Sequence, residues 1–94
     1  MDTDSTRPKP RAEATAAKRR QARPLKVALG LRVRALRQGR GISQEALADE
    51  ALIHRSYMGD IERGMRNPSL ENLYAIATAL GVTVGELFPR EGQH

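Results

Sequence analysis

The sequence predicts a compact all-α domain of five helices preceded by a disordered basic tail. Three observations carry that expectation. From Leu25 to Phe88 the apolar residues recur at spacings of three and four, with no strand-like alternation. Ser, Gly and Pro fall where such helices should start and stop. Hydrophobic residues make up 39% of the 94, yet there are only one Phe, two Tyr and no Trp, so the core must come from aliphatic side chains and Ala, which favours helices over a sandwich or barrel. A chain of this length suits a single domain.

Residues 1–23 read as the tail. They hold Pro8, Pro10, many Ala and charged residues and, apart from Met1, no large apolar side chain to offset the entropy of ordering. The domain spans 24–89 and a short C-terminal tail 90–94. Pro24 suits the first position of helix one, whose stripe is Leu25, Leu29, Val33 and Leu36 and whose end is marked by Gly39 and Gly41. Ser43 reads as the cap of helix two, with Glu45 in its first turn and Ala46, Leu47, Ala48 and Ala51 as its apolar positions. Helix three covers His54 to Arg63. A helical wheel places Met58, Ile61 and His54 on one side, Ser56, Gly59, Asp60 and Arg63 on the other, and Arg55 at the exposed first turn. Gly64 closes it and Asn67-Pro68 marks a turn. Ser69 caps helix four, with stripe Leu70, Leu73, Ile76, Ala77 and Leu80, ended by Gly81. Thr83 with Glu86 forms a capping box and Val82 with Leu87 a staple, so a fifth, very short helix runs to Phe88 before Pro89.

The charge is unevenly spread. Residues 1–24 carry a net +4, residues 25–66 a net +3 and residues 67–94 a net −2. Positive charge at the front and middle draws a chain toward polyanions, and it also serves ordinary solubility. With no Cys there is neither a disulfide nor a zinc finger, and the two His, at 54 and 94, suggest no metal site. No apolar run approaches the ~20 residues that span a bilayer, and the N-terminus lacks a secretory h-region. No paired carboxylates, Ser-His-Asp set or phosphate-cradling Gly loop stands out; Asp49 and Glu50 are adjacent, so their side chains diverge on a helix. Neither an enzyme nor a cofactor is expected.

The unit Ser43 to Gly64, two short helices meeting across Ala51-Leu52-Ile53, carries the strongest functional signal. The outer stripe of the second is short and polar enough to enter a groove ~12 Å wide. From Leu25 to Phe88 the sequence resembles the helix-turn-helix family of lambdoid phage repressors, Cro proteins and their bacterial relatives, in LGLRVRALRQGRGISQEALA (29–48), YMGDIERGMRNPSLENL (57–73) and AIATALGVTVGELF (75–88). The resemblance implies a repressor-like fold, binding of double-stranded DNA and transcription regulation by major-groove reading, in a cytoplasmic, nucleoid-associated protein of bacterial or phage origin. It implies that Gln44 contacts the operator at the groove edge, that Arg55 and Ser56 read bases, and that Asp60 faces the groove one turn on. It further implies that Arg37 and Glu62 form a salt bridge between helices one and three, and that Arg63, Arg66 and Asn67 lie along a phosphate backbone; Tyr57 and Arg40 are counted with these phosphate contacts.

The residues themselves leave several roles open. Arg55 suits bidentate bonding to guanine O6 and N7, or a phosphate contact alone. Asp60 either accepts from cytosine N4 or pairs with Arg63 or Arg55. Gly59 permits close approach of a groove wall or is neutral. Tyr57 offers its hydroxyl to phosphate or covers the core edge, Tyr74 reads as packing, and His54 as a helix cap or phosphate donor. The sequence departs from the family at Leu52, where the turn normally has Gly; a left-handed backbone there costs a bulky residue roughly 1–2 kcal/mol.

A homodimer on a short inverted repeat, acting as a repressor, is the leading expectation. The alternatives are a restriction-modification controller protein, and an antitoxin or other partner-binding module whose basic tail folds on a protein.

Overall fold

The computed structural model describes the backbone of residues 11–88 and side-chain environments from Pro24 to Phe88. Helix α1 runs Arg11–Gly39, α2 Gln44–Ala51, α3 Arg55–Glu62 and α4 Leu70–Leu80. A single 3-10 turn, Val84–Leu87, follows. The fold is all-α, and there is no strand among the described residues. The expected fifth helix is that 3-10 turn, because Pro89 and the capping box leave room for only one turn. Its box is complete: the Thr83 N–H donates to Glu86 Oε2 at 2.7 Å and the Glu86 N–H to Thr83 Oγ1 at 3.3 Å. The bonds from Thr83 hold the Glu86 carboxyl below the usual carboxylate range.

Helix α1 starts earlier than the expected first position at Pro24. Its backbone is helical from Arg11, with Pro24 inside. The stretch Ala12 to Ala22 is dominated by Ala, Arg, Lys, Gln and Glu, all strong helix formers, and a helix already nucleated downstream propagates through such residues at little cost. Pro24 takes one hydrogen bond out of the ladder without ending it. The remainder of the expected N-terminal tail, 1–10, and the C-terminal tail lie outside the described residues.

One core joins all the elements. Leu29 and Val33 of α1 meet Leu47, Ala48 and Ala51 of α2, Met58 and Ile61 of α3, Ile76, Ala77 and Leu80 of α4, and Leu87 of the 3-10 turn. Two positions of the expected stripes are exposed instead: Leu25 at 50% and Leu70 at 71%. Gly64, just beyond α3, lies against Val27, so the stripe on α1 outruns its partner before it reaches Leu25. Leu70 sits roughly 90° around the helix from the mean direction of Leu73, Ile76 and Leu80. Tyr74 is exposed as well, not packed.

Two backbone features set how the helices meet. At Gly30, a Cβ would lie 2.5 Å from the carbonyl oxygen of Glu62 and closer still to that of Ile61; only glycine allows α1 to cross the end of α3 at that separation. At the α2–α3 turn, Leu52 adopts φ 56, ψ 42, the one positive-φ non-glycine residue among those described. Its N–H donates to Asp49 O at 3.2 Å and that of Ile53 to Ala48 O at 2.9 Å. The turn thus keeps the left-handed geometry that glycine usually supplies, while the Leu52 side chain stays 93% exposed.

Candidate nucleic-acid interface

The site is assembled on α3. Met58 and Ile61 are completely buried or nearly so, at 0% and 1%, and fix the rotation of the helix about its own axis. His54 caps it, Nδ1 accepting from the Ser56 N–H at 3.2 Å. The wheel had placed His54 with the inward residues; as the cap it lies outside the helical turn and is exposed.

On the inner flank Glu62 is a hub. Arg37 Nε donates to Glu62 Oε2 at 2.7 Å and Nη2 to Oε1 at 3.1 Å, a bidentate pair, while Nη1 reaches Ile42 O at 3.0 Å. Bonding to Glu62 raises the Arg37 pKa above its ordinary value. Gln44 Nε2 donates to the same Glu62 Oε1 at 3.1 Å. A carboxylate only accepts, so the Gln44 amide must turn its NH₂ inward. One carboxylate therefore ties α1, α2 and α3 together. Gly59 belongs to this network and not to an open outer stripe: it is buried, and a Cβ there would sit 3.2 Å from both Gln44 Oε1 and Arg63 Nη1. The missing side chain makes room for the Gln44 and Arg63 side chains.

On the outer flank the charged groups are solvated. Arg55 Nη1 donates to Glu45 Oε2 of α2 at 2.7 Å. Ser56 is exposed and its Oγ shares a 2.8 Å hydrogen bond with His54 Nδ1. Asp60 pairs with Arg63 and, at 3.1 Å, with Arg66 Nε; the Arg66 bond first, and Arg63 with it, holds the Asp60 carboxyl below the usual range. The same Arg66 guanidinium stands 5.2 Å over the half-buried Tyr57 ring, a cation–π distance. Asn67 is exposed beside it. The structure thus gathers Arg55, Ser56, Asp60, Arg63 and Arg66 along one helix and the loop after it.

Arg40 is the outlier. It pairs with Glu50 at 3.4 Å and donates to the Ala79 carbonyl at the end of α4. Glu50 lies about 140° around α2 from Glu45, so Arg40 is engaged on a different flank from Arg55. Sequence reading missed Glu45 as a partner of Arg55, because a pair formed across two helices and a turn leaves no local spacing signal. It also missed Gly30, although an isolated glycine within a helical pattern is itself a packing signal. Among the described residues no group of three metal-ligating side chains occurs, and no helix is long and apolar enough to cross a membrane.

Comparison with known proteins places this geometry. The profile of the helix-turn-helix family matches residues 33–87. The immunity repressor protein of Bacillus phage phi105 is 44% identical over 63 residues, which are 67% of this chain and 44% of the repressor; the match thus spans less than half of that relative's length. Control protein C.BamHI of Bacillus amyloliquefaciens is 45% identical over 64 residues, 67% of this chain and 79% of the control protein. Among solved structures, the restriction-modification controller protein C.AhdI from Aeromonas hydrophila superposes with a TM-score of 0.66 at 49% identity, covering 67% of this chain and 96% of that one.

Proposed function

The chain belongs to the helix-turn-helix family, and from that premise we propose that it regulates transcription by inserting α3 into a major groove. Its relatives include an immunity repressor, a control protein and a restriction-modification controller protein, names that fit DNA-binding regulation. The observation that carries the residue-level reading is the combination of two facts about one helix. Met58 and Ile61 anchor it from within, and Arg55, Ser56 and Asp60 stand on its outward side with no part in the core.

In this reading Arg55 and Ser56 meet base edges in the first turn of α3, Asp60 follows one turn on, and Gln44 touches the groove edge with the N–H that Glu62 does not take. Arg63, Arg66 and Asn67 track the phosphates, and Tyr57 presents its hydroxyl beside them. Asp60 holds two arginines, so it acts by arranging Arg63 and Arg66 and not by facing phosphate bare. Arg40 is counted with the phosphate contacts from its own flank, where Glu50 and Ala79 also engage it.

A single domain of this size covers only a few base pairs, so the operator is an inverted repeat and the active species a homodimer, a cytoplasmic repressor. Selection of bound duplexes from a random pool tests this. A pair of half-sites about 10 base pairs apart centre to centre, or a multiple of that, is the expected result; enrichment of no sequence overturns it.

A controller of a restriction-modification operon is the second reading. It is favoured by the likeness to C.AhdI, at 49% identity and a TM-score of 0.66, and to C.BamHI at 45% identity. Restriction and methyltransferase genes beside this one would select it.

A further inference from the structure

Glu45 entered the sequence reading only as a favourable charge in the first turn of α2. Its position says more. It is the second residue of α2, Arg55 is the first of α3, and the two meet at 2.7 Å across the helix-turn-helix corner. Both side chains are largely exposed, at 60% and 68%, so the pair contributes little to folding. Asp60, the carboxylate on α3's outer side, is already committed to Arg63 and Arg66. Glu45 is the carboxylate that holds Arg55.

Resting on the DNA-reading proposal above, we propose that Glu45 is a specificity-determining positioning residue that presents Arg55 to guanine. A guanidinium has five N–H donors in a fixed plane. Glu45 takes Nη1, which leaves the edge formed by Nε and Nη2 intact, and two parallel donors of that kind match O6 and N7 of guanine. Without the carboxylate, the long Arg55 side chain samples phosphates as readily as base edges. The corner that sets this alignment is fixed by the Leu52 and Ile53 hydrogen bonds to α2 and by packing of Leu47, Ala48 and Met58, not by the ion pair itself.

Positioning of Arg55 by Glu45 has an electrostatic signature that a purely structural or purely charge-based role lacks. Removing one negative charge beside a polyanion strengthens binding to any DNA. Losing the alignment weakens discrimination at one base pair only.

The test uses the full chain and a duplex enriched from the random pool, with binding measured by fluorescence anisotropy at fixed salt for wild type, Glu45→Gln, Arg55→Ala and the double variant. The base pair read by Arg55 is the one at which Arg55→Ala loses discrimination. For Glu45→Gln we expect tighter binding to unrelated duplex, by about twofold or more, together with a drop of roughly tenfold in preference at that base pair. Other positions and the melting temperature should stay unchanged. In the Arg55→Ala background the Glu45→Gln change should leave the preference untouched. If Glu45→Gln tightens binding to every duplex equally, Glu45 acts by charge alone and the inference is overturned. An equal loss at all positions, pointing to a disturbed domain, overturns it as well. A wild type that enriches no sequence overturns the DNA-reading proposal, and this inference with it; a wild type that enriches one while the variant keeps its preference overturns this inference alone.

Discussion

The two flanks of α3 carry the same chemistry, an arginine against a glutamate of another helix, in opposite surroundings. On the inner flank Arg37 and Glu62 make two contacts, with only 13% and 4% of their side chains exposed. On the outer flank Arg55 and Glu45 make one, with 68% and 60% exposed. Charges taken out of water must keep their partners, so the inner pair dictates how three helices meet. Charges left in water exchange partners cheaply, so the outer pair is available to a ligand. Identical functional groups thus separate into a buried tie and a solvated pair by burial alone.

That contrast can be broken most decisively at Glu62. Replacing Glu62 with Ala strands the Arg37 guanidinium and removes the acceptor of Gln44. The expected loss is about 3–5 kcal/mol of unfolding free energy by denaturant titration, a large share of the 5–15 kcal/mol typical of a whole domain. A loss under about 1 kcal/mol would place the inner pair in the same class as the outer one. Gly30→Ala attacks the same flank through sterics, since the new methyl group meets backbone carbonyls that cannot swing aside. It should cost about 1–3 kcal/mol in the same titration, and a neutral result would mean that α1 slides freely over α3.

The outer flank should answer through binding instead. Arg55→Ala is expected to lose about 1–3 kcal/mol of discrimination at one base pair while unfolding free energy moves by no more than ~0.5 kcal/mol; a substantial fall in stability would erase the division between flanks. At the corner joining the two helices, Leu52→Gly removes a left-handed strain of roughly 1–2 kcal/mol, part of which is returned as backbone entropy. A net rise in melting temperature of a few degrees is expected for a domain of this size, and a drop would show that the turn is not strained.

The smallest effect is that of Asp60. Its folded pKa is depressed, mainly by the Arg66 hydrogen bond, so its contribution is full above the unfolded value of about 3.9 and disappears as pH falls through the lower folded value. The melting temperatures of wild type and Asp60→Asn should therefore differ by a constant amount above about pH 5, and the gap should start to close only as pH falls below the unfolded value of about 3.9. A gap that persists into acid would mean that the pair with Arg66 and Arg63 is not what sustains it.

Much of this arrangement was legible because it is local. Ser43, Ser69 and Thr83 cap their helices through a single side chain, and Met58 and Ile61 share a face by spacing. The left-handed Leu52 was legible as a departure from the glycine that such turns usually hold. What escaped depends on where separate elements end up. Gly30 faces carbonyls about thirty positions away, Gly59 lies beneath Gln44 from the neighbouring helix, and the Glu45–Arg55 and Arg40–Glu50 pairs each bridge ten positions. The start of α1 was misread for a different reason. The Ala-rich stretch before Pro24 has no apolar stripe, so no spacing in it marks the extension of the helix that follows.

The anchoring of α3 by Met58 and Ile61 has a consequence for how such a protein diversifies. Frame and outward face are separate inventories: Arg55, Ser56 and Glu45 could be exchanged over many generations while the hydrophobic wedge beneath them never registers the change. If the proposed reading holds, a descendant chain acquires a new genomic address at almost no thermal penalty, one exposed side chain at a time.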